Sequence, residues 1–383
     1  MPAAYGRLEQ IMEILLMLAG AAIVYLLLIK LYGRLWTKNL EADVQFSTES
    51  AVSGDKIELI EVVTNDKWLP LPFVNVKFQL DRNLHFEGED SNSNVTDKSY
   101  KNDVFSLLFH QRITRKIPVV CRKRGLYCID SIEILSKGIF MGEIMSSKKE
   151  LHRELMVYPA VADTGRIEIV SKSILGDLLT KYNLHEDPFE IRGIRDYSTQ
   201  DTMKLINWKA TARTNGLKVN LHDYTAGRNV CIMLNLESDG MLVYDALLEE
   251  SISIAAGLVQ SLVSSGVNVG IISNGRDKVT QENIHMQEAC GLSHVSAVNA
   301  ALARIDLSLE MQPFEEILEN ARGQSLYILI SSAKKKELQA KFDGMCREGR
   351  ASLWILPYHA GMENSLLVCP HAEALAWEVM PHE

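Results

Sequence analysis

The chain has no excess of positive charge: 40 Lys and Arg stand against 49 Asp and Glu, a formal net charge of -9 over 383 residues. That balance argues against general nucleic-acid binding, because phosphate backbones are held by a basic field. Paired cysteines are also missing. Cys121, Cys128, Cys231, Cys290, Cys346 and Cys369 are scattered in mostly apolar surroundings. This excludes the spacing of a zinc ribbon or a disulfide-dense scaffold and predicts reduced thiols packed as small hydrophobes. There is no glycine-rich phosphate loop, no nucleophile beside an obvious base and no internal repeat. Hydrophobic residues at 47% and charged residues at 23% are ordinary for a globular chain and exclude extensive disorder. The length suits two or three domains.

What the chain does have is one long apolar run. From Ile14 to Ile29, "ILLMLAGAAIVYLLLI", no residue is charged, and back to Ile11 only Glu13 interrupts it. As a helix, Ile11 to Ile29 is about 28 Å long, close to the hydrocarbon thickness of a bilayer. A cleaved signal peptide is the rival reading, with Ala19 to Ala21 as a small-residue triplet. That triplet, however, lies inside the apolar run, and Glu9 and Glu13 flank it beside Arg7 alone. The expectation is a ten-residue tail over 1–10 and an uncleaved transmembrane helix over 11–33. Lys30, Arg34 and Lys38 follow the span and only Arg7 precedes it, so the positive-inside bias places the rest of the chain in the cytoplasm.

Over 39–160 the pattern is that of strands. In "FVNVKFQL" Val74, Val76, Phe78 and Leu80 alternate with polar residues, and "KIELIEVVTN", "VFSLLFHQRITRKIPVV" and "GLYCIDSIEIL" add β-rich runs between turn signals. A small antiparallel β-sandwich is expected, interrupted by a polar loop from Glu87 to Asp103. Asn94-Val95-Thr96 in that loop matches a glycosylation acceptor, irrelevant in a cytoplasmic domain. Over 228–383 the rhythm changes. "NVCIMLNL", "VNVGIIS", "LYILIS" and "ASLWILPY" read as buried strands alternating with helical stretches near Leu242–Ser264, "VSAVNAALARI" and "KKKELQAKFDGMCREG". Such alternation predicts an α/β domain with a mostly parallel sheet covered on both faces.

Between them, 161–227 is expected as a linker region with short helices. From Arg192 to Lys218 the basic residues Arg192, Arg195, Lys204, Lys209, Arg213 and Lys218 outnumber Asp196 and Asp201. Ser198 and Asp201 have capping-box spacing and Asn215-Gly216 is a helix stop. Leu205, Trp208 and Ala212 would share one face, and Asp201, Lys204 and Lys209 would point toward solvent or a neighbour. Two readings stay open: a helix holding Trp208 in a core with arginines in ion pairs, or a basic docking surface for an acidic partner. Catalysis lacks support, with no histidine between His185 and His222.

The stretch "IRDYSTQDTMKLINWKATARTNGLKVN" resembles the signature of the domain-of-unknown-function 58 family, approximately R-x-Y-x-x-G-D-x-x-R-x-I-x-W-x-x-S-A-R-x-x-x-L. Arg195, Tyr197, Asp201, Ile206, Trp208, Ala212, Arg213 and Leu217 match it. Gln200, Lys204 and Thr211 stand where glycine, arginine and serine are usual. "NDKWLPLP", "RKRGLYCIDSIEILSKGIFMGE" and "MVYPAV" follow in the family's order, so the resemblance covers nearly the whole chain. It implies a von Willebrand factor type A-like C-terminal part and, as a partner, a MoxR-type AAA+ ATPase of the kind often encoded beside these bacterial proteins. Type A domains often hold a divalent cation with D-x-S-x-S after the first strand. The aligned residues here are Asn235, Leu236, Glu237, Ser238 and Asp239, and a later strand offers Ser331 and Ser332 in place of a further aspartate. Asn235, Glu237 and Asp239 could supply oxygens, but the usual pattern is lost and no cofactor is expected. His371 and His382 are too far apart to suggest ligands.

The resulting expectation is a non-enzymatic, single-pass membrane scaffold on the cytoplasmic side, binding proteins and no nucleic acid, in assembly or regulation of envelope-associated complexes. Its partner-binding residues would be Arg192, Arg195, Tyr197, Asp201, Lys204, Lys209 and Arg213, with Ile206, Trp208, Ala212 and Leu217 as structural signature. The alternatives are a metal-dependent hydrolase using the 235–239 loop with Arg195 or Arg213 as anion clamp, and an extracytoplasmic adhesion module.

Overall fold

Strand alternation in the first half and strand–helix alternation in the second are resolved by a computed structural model into two compact units, Met1–Tyr158 and Pro159–Glu383. The structure describes residues 2–86, 98–138, 144–182, 191–198, 201–214, 216–222, 229–238, 245–320, 325–359 and 370–379.

The first unit opens with helix α1 (Pro2–Leu35), followed by β1 (Leu40–Phe46), β2 (Ser50–Val52), β3 (Lys56–Asn65), β4 (Leu71–Asp81), β5 (Leu84–Phe86), β6 (Lys98–Leu107), β7 (Gln111–Cys121), β8 (Gly125–Lys137) and β9 (Ile144–Tyr158). The strands form a four-stranded sheet, β1-β3-β7-β5, and a five-stranded sheet, β2-β9-β8-β4-β6. All pairings are antiparallel except β2 with β9. One apolar core runs through both sheets, giving a sandwich-like unit. The period-two reading of β4 holds, because Val74, Val76, Phe78 and Leu80 are all buried in that core. Of the expected polar loop Glu87–Asp103, Lys98 to Asp103 belong instead to β6, paired with β4 from Asp81 to Val76, and 87–97 lie outside the described residues. A strand needs only one apolar face, and its polar residues were read as loop.

Within α1, Ile14–Leu35 forms a helix long and apolar enough to cross a membrane, and Ile14 to Leu31 are all exposed. Burial begins abruptly at its end, where Tyr32 and Trp36 enter the sandwich core.

The second unit begins with α2 (Thr164–Tyr182), then β10 (Ile191–Asp196), a 3-10 turn (Met203–Leu205), α3 (Trp208–Thr214), β11 (Lys218–His222) and β12 (Asn229–Asn235). There follow α4 (Asp245–Ser264), β13 (Asn268–Asp277), β14 (Asn283–Ala289), α5 (Leu292–Ala303), β15 (Ile305–Asp306), α6 (Phe314–Asn320), β16 (Leu326–Ser331), α7 (Lys336–Arg347), β17 (Ala351–His359) and β18 (Glu373–Val379). The main sheet has the order β14-β13-β12-β16-β17-β18, with β15 beside β13. From β13 to β18 the neighbours run parallel; β14 and β15 are antiparallel to β13. This is a mixed α/β sheet.

Its central strand explains why "NVCIMLN" is apolar at every step. Val230, Ile232 and Leu234 belong to one buried layer, Cys231 and Met233 to the other. Helices α2, α4 and α5 cover the first layer and α6 and α7 the second. The sequence reading of 161–227 as a linker with short helices omitted α2, a 19-residue helix whose Ile167, Val170, Ile174 and Leu178 lie in the α/β core. It packs on α4 where a Cβ on Gly257 would meet Val161 and Ile167 at 3.0 and 3.2 Å, so the small residue sets the helix separation. Helix α7 ends as its sequence suggests, on Gly349 at φ +73°.

Cys121, Cys231 and Cys346 are buried, and burial pushes the Cys121 thiol up to about 11. Cys128 and Cys290 are exposed, and Cys369 lies outside the described residues.

Candidate functional site

Among the described residues, strands β10 and β11 pair with each other and with no strand of the main sheet. Between them the chain makes its 3-10 turn, bridges Ile206 to Val219, and forms α3, a helix of 7 residues. Asn207 caps α3 by accepting from the Ala210 N–H at 2.9 Å. Thr211, where the family pattern has serine, uses its hydroxyl to accept from the Lys218 N–H at 3.0 Å, tying helix to strand.

The charges in this excursion divide into two groups. Arg195 makes a two-pronged pair with Asp201, one bond at 2.7 Å from Nη1 to Oδ2 and a second from Nη2 to Oδ1. The Ser198 N–H also donates to Asp201, at 2.8 Å, which is the reciprocal half of the capping-box spacing applied to a turn. The Arg195 bonds first, and the Ser198 N–H second, hold the Asp201 carboxyl below the usual carboxylate range. Lys218 pairs with Asp196 at 2.7 Å. Lys204, Lys209 and Arg213 are exposed and make no ion pair among the described residues. Tyr197 is half-buried, its N–H donating to the Leu217 carbonyl at 3.0 Å. For Arg192 the structure describes only a place in β10.

The idea of a helix holding Trp208 in a core is corrected. Trp208 is 66% exposed, Leu217 is 45% exposed and Ala212 is exposed; of the four signature residues only Ile206 is buried. The physical reason is length and position. Helix α3 starts at Trp208 itself and has no buried residue, while the buried apolar pair Ile206 and Val219 comes from the bridge beside it. Met203 at 75% and Ile194 at 51% add further exposed apolar surface.

A second constellation lies where β12, β13 and β16 end, the carboxyl edge at which open parallel sheets place ligands. Asn235 donates from Nδ2 to the Ser331 hydroxyl at 3.0 Å. Its Oδ1 accepts from Asn274 Nδ2 and from the Glu237 N–H, both at 3.0 Å. Asn274 returns its own oxygen to the Leu236 N–H at 2.9 Å, and Ser331 donates to the Ala333 carbonyl at 3.1 Å. The amides thus stitch three strand ends together. Glu237 faces Lys335, whose ammonium lies 3.0 Å from Oε1. So the oxygen of Asn235 is already engaged by two donors, and the Glu237 carboxylate has a fixed cation. Asp239 lies outside the described residues, and among the described residues no cluster of three His, Cys, Asp or Glu could hold a metal. The sequence reading missed Asn274 and Lys335. The first directly follows "VNVGIIS", still within β13, and the second lies in the cationic run "KKK" before α7.

His371 is paired through Nδ1 with Asp343 at 3.1 Å, beside the Arg347–Asp343 pair, a structural clamp on α7. His382 lies outside the described residues.

No family model and no curated protein matches the chain. Among solved structures it is similar to the CARDB domain of a Pyrococcus furiosus protein, held there in complex with di-metal ions, at 12% identity and a TM-score of 0.20, covering 31% of this chain and 90% of that one. It is likewise similar to the cohesin module of a Clostridium perfringens family 33 glycoside hydrolase, at 11% identity and a TM-score of 0.22, covering 31% of this chain and 99% of that one. Likenesses at this level carry no argument about what the chain does.

Proposed function

We propose that the chain is a membrane-anchored module that binds other proteins through the β10–β11 excursion and performs no catalysis of its own. The observation that carries this reading is the exposure of Met203, Trp208 and Leu217 beside Lys204, Lys209 and Arg213, while the neighbouring cations Arg195 and Lys218 are neutralised within the chain. Apolar side chains, tryptophan and arginine left in water together are the residue types that dominate protein interfaces. The resemblance of this segment to the domain-of-unknown-function 58 signature supplies the partner, a MoxR-type AAA+ ATPase, and the setting, assembly or regulation of envelope-associated complexes. Cations without an ion pair among the described residues favour an acidic face on that partner. The bias of Lys30, Arg34 and Lys38 supports a cytoplasmic location for both units.

The test is affinity recovery of the full-length chain from membranes of cells that also express the ATPase. The wild type is expected to retain the ATPase, and Trp208→Ala and Arg213→Ala to lose it while melting at the wild-type temperature. Recovery of no stable partner by the wild type overturns the reading. The same surface would serve an extracytoplasmic adhesion module if the chain inserts the other way. Reporters fused after residue 383 distinguish the two, since activity only outside the cytoplasm selects adhesion.

A further inference from the structure

The exposed apolar side chains of the sandwich unit are unevenly placed. Beyond α1, the exposed large hydrophobics among its described residues are Trp68, Leu108, Phe109 and Ile144, together with Val52 and Val104. The first four gather where α1 joins the sandwich.

On one side, the Lys67 ammonium donates to the carbonyls of Trp36 and Lys38, both at 2.7 Å, and so holds the 66–70 loop to the end of the helix. Asp66 N–H donates to the Asn39 carbonyl at 2.9 Å and reinforces the attachment. The turn carrying Leu108 and Phe109 is fixed to the same loop. Asn65 Nδ2 donates to the carbonyls of Leu69 and Leu108 at 3.0 and 2.8 Å, and the His110 N–H donates to the Lys67 carbonyl at 3.2 Å. The Trp68 ring stacks on Phe109 with centroids 5.5 Å apart and 19° between planes, yet Trp68 remains 79% exposed and Phe109 53%. On the other side, Ile144, 65% exposed, opens β9 beside Met145, whose sulfur lies 3.9 Å from where a Cβ on Gly33 would be.

A rigid, stacked aromatic pair left in water is costly, about 25 cal/mol for each Å² of apolar surface that stays wet. The span fixes what lies nearby. Its last exposed apolar residue is Leu31, with Tyr32 already in the sandwich core, so Trp36 stands about 8 Å further along the helix. The headgroup layer on each side of a bilayer is about 5–7 Å thick, within one side-chain length of that level. Aromatic rings with a polar edge favour this layer, and Lys30, Arg34 and Lys38, all exposed at the same end of α1, suit its phosphates.

We propose that Trp68, Leu108, Phe109 and Ile144 form a second membrane contact, seated in the headgroup layer of the bilayer that α1 crosses and holding the sandwich against that surface. The proposal rests on α1 being a membrane anchor. It is tested with the full-length chain in phosphatidylcholine–phosphatidylglycerol vesicles, wild type against Trp68→Phe, reading flotation and tryptophan quenching by brominated lipid and by aqueous iodide. Both chains should float and melt alike, and the emission lost in Trp68→Phe should be the component that brominated lipid quenches at least twofold and iodide does not. A chain that floats but whose Trp68 emission is quenched by iodide and untouched by brominated lipid overturns the contact and leaves the aromatic pair to a protein partner. A chain that fails to float overturns the anchor and the contact with it.

Discussion

Helices α1 and α4 are alike in composition and opposite in surroundings. Both are long and apolar enough to cross a membrane, yet Ile14 to Leu31 of α1 are all exposed, whereas 12 of the 20 residues of α4 are buried. Helix α4 lies between β12 and β13, which it links by a crossover, and Ile252, Ala255, Leu258, Val259 and Leu262 disappear into the layer formed with β12, β13 and α2. Small residues, Gly257 among them, let α2 approach. Helix α1 has bulky apolar residues around its circumference and, among its described side chains, is covered only where Tyr32 enters the sandwich. Apolar composition therefore states how much surface must leave water; the neighbouring elements state into what.

The largest test of this contrast is removal of residues 1–31. Membrane flotation should be abolished while both units keep their cooperative melting, and a truncated chain that still floats would assign the anchor elsewhere. Next are the cores. Trp354, fully buried with its Nε1–H on the Ser331 carbonyl, should cost about 3–5 kcal/mol when replaced by alanine, read by urea unfolding. Leu258→Ala in α4 should cost about 2–5 kcal/mol. Leu26→Ala in α1 should be silent in the same assay, since 63% of Leu26 is exposed.

Burial acts on charge as well. Glu61 in β3 is fully buried; desolvation first, and the neighbouring Asp103 carboxyl second, push its pKa up to about 8 against the attraction of Arg115 and Lys101. The folded state therefore keeps a proton that the unfolded chain releases above its ordinary value near 4.5. Stability of the sandwich should fall between about pH 4.5 and 8 and level off above, by on the order of 5 kcal/mol. Glu61→Gln should flatten that profile in chemical denaturation at several pH values; an unchanged slope would locate the titration in another group. A comparably small effect on stability is expected of Trp208→Ala, within about 0.5 kcal/mol by thermal melting, because its ring is already in water. A loss as large as that of Trp354→Ala would mean that the ring packs after all.

Much of the architecture was legible because burial leaves periodicity. Alternation marked β4, continuous apolar runs marked β12 and β16, and helical spacing marked α4 and α7. What was not legible depended on partners distant in sequence. β14, "NIHMQEA", and β18, "EALAWEV", carry helix-favouring residues, yet they complete the sheet edges by pairing with β13 and β17. Their strand state comes from a neighbour's open hydrogen bonds. In the signature region Trp208 and Ile206 look equally apolar in sequence. Ile206 is buried because Val219 of β11 lies opposite it, whereas nothing in the described chain covers Trp208.

The sequence by itself determined the apolar span, the change from period-two strands to strand–helix alternation, and the concentration of cations between Arg192 and Lys218, since each is a local pattern of side-chain chemistry. Only the tertiary structure decided which cations are neutralised, Arg195 by Asp201 and Lys218 by Asp196, and which are left to solvent. It also decided that Lys335 faces Glu237 where a cation site was conceivable, and that Trp68 and Phe109 meet beside the end of α1. Charge pairing and aromatic stacking act across a few ångströms of space, and chain proximity specifies those distances only within a single turn.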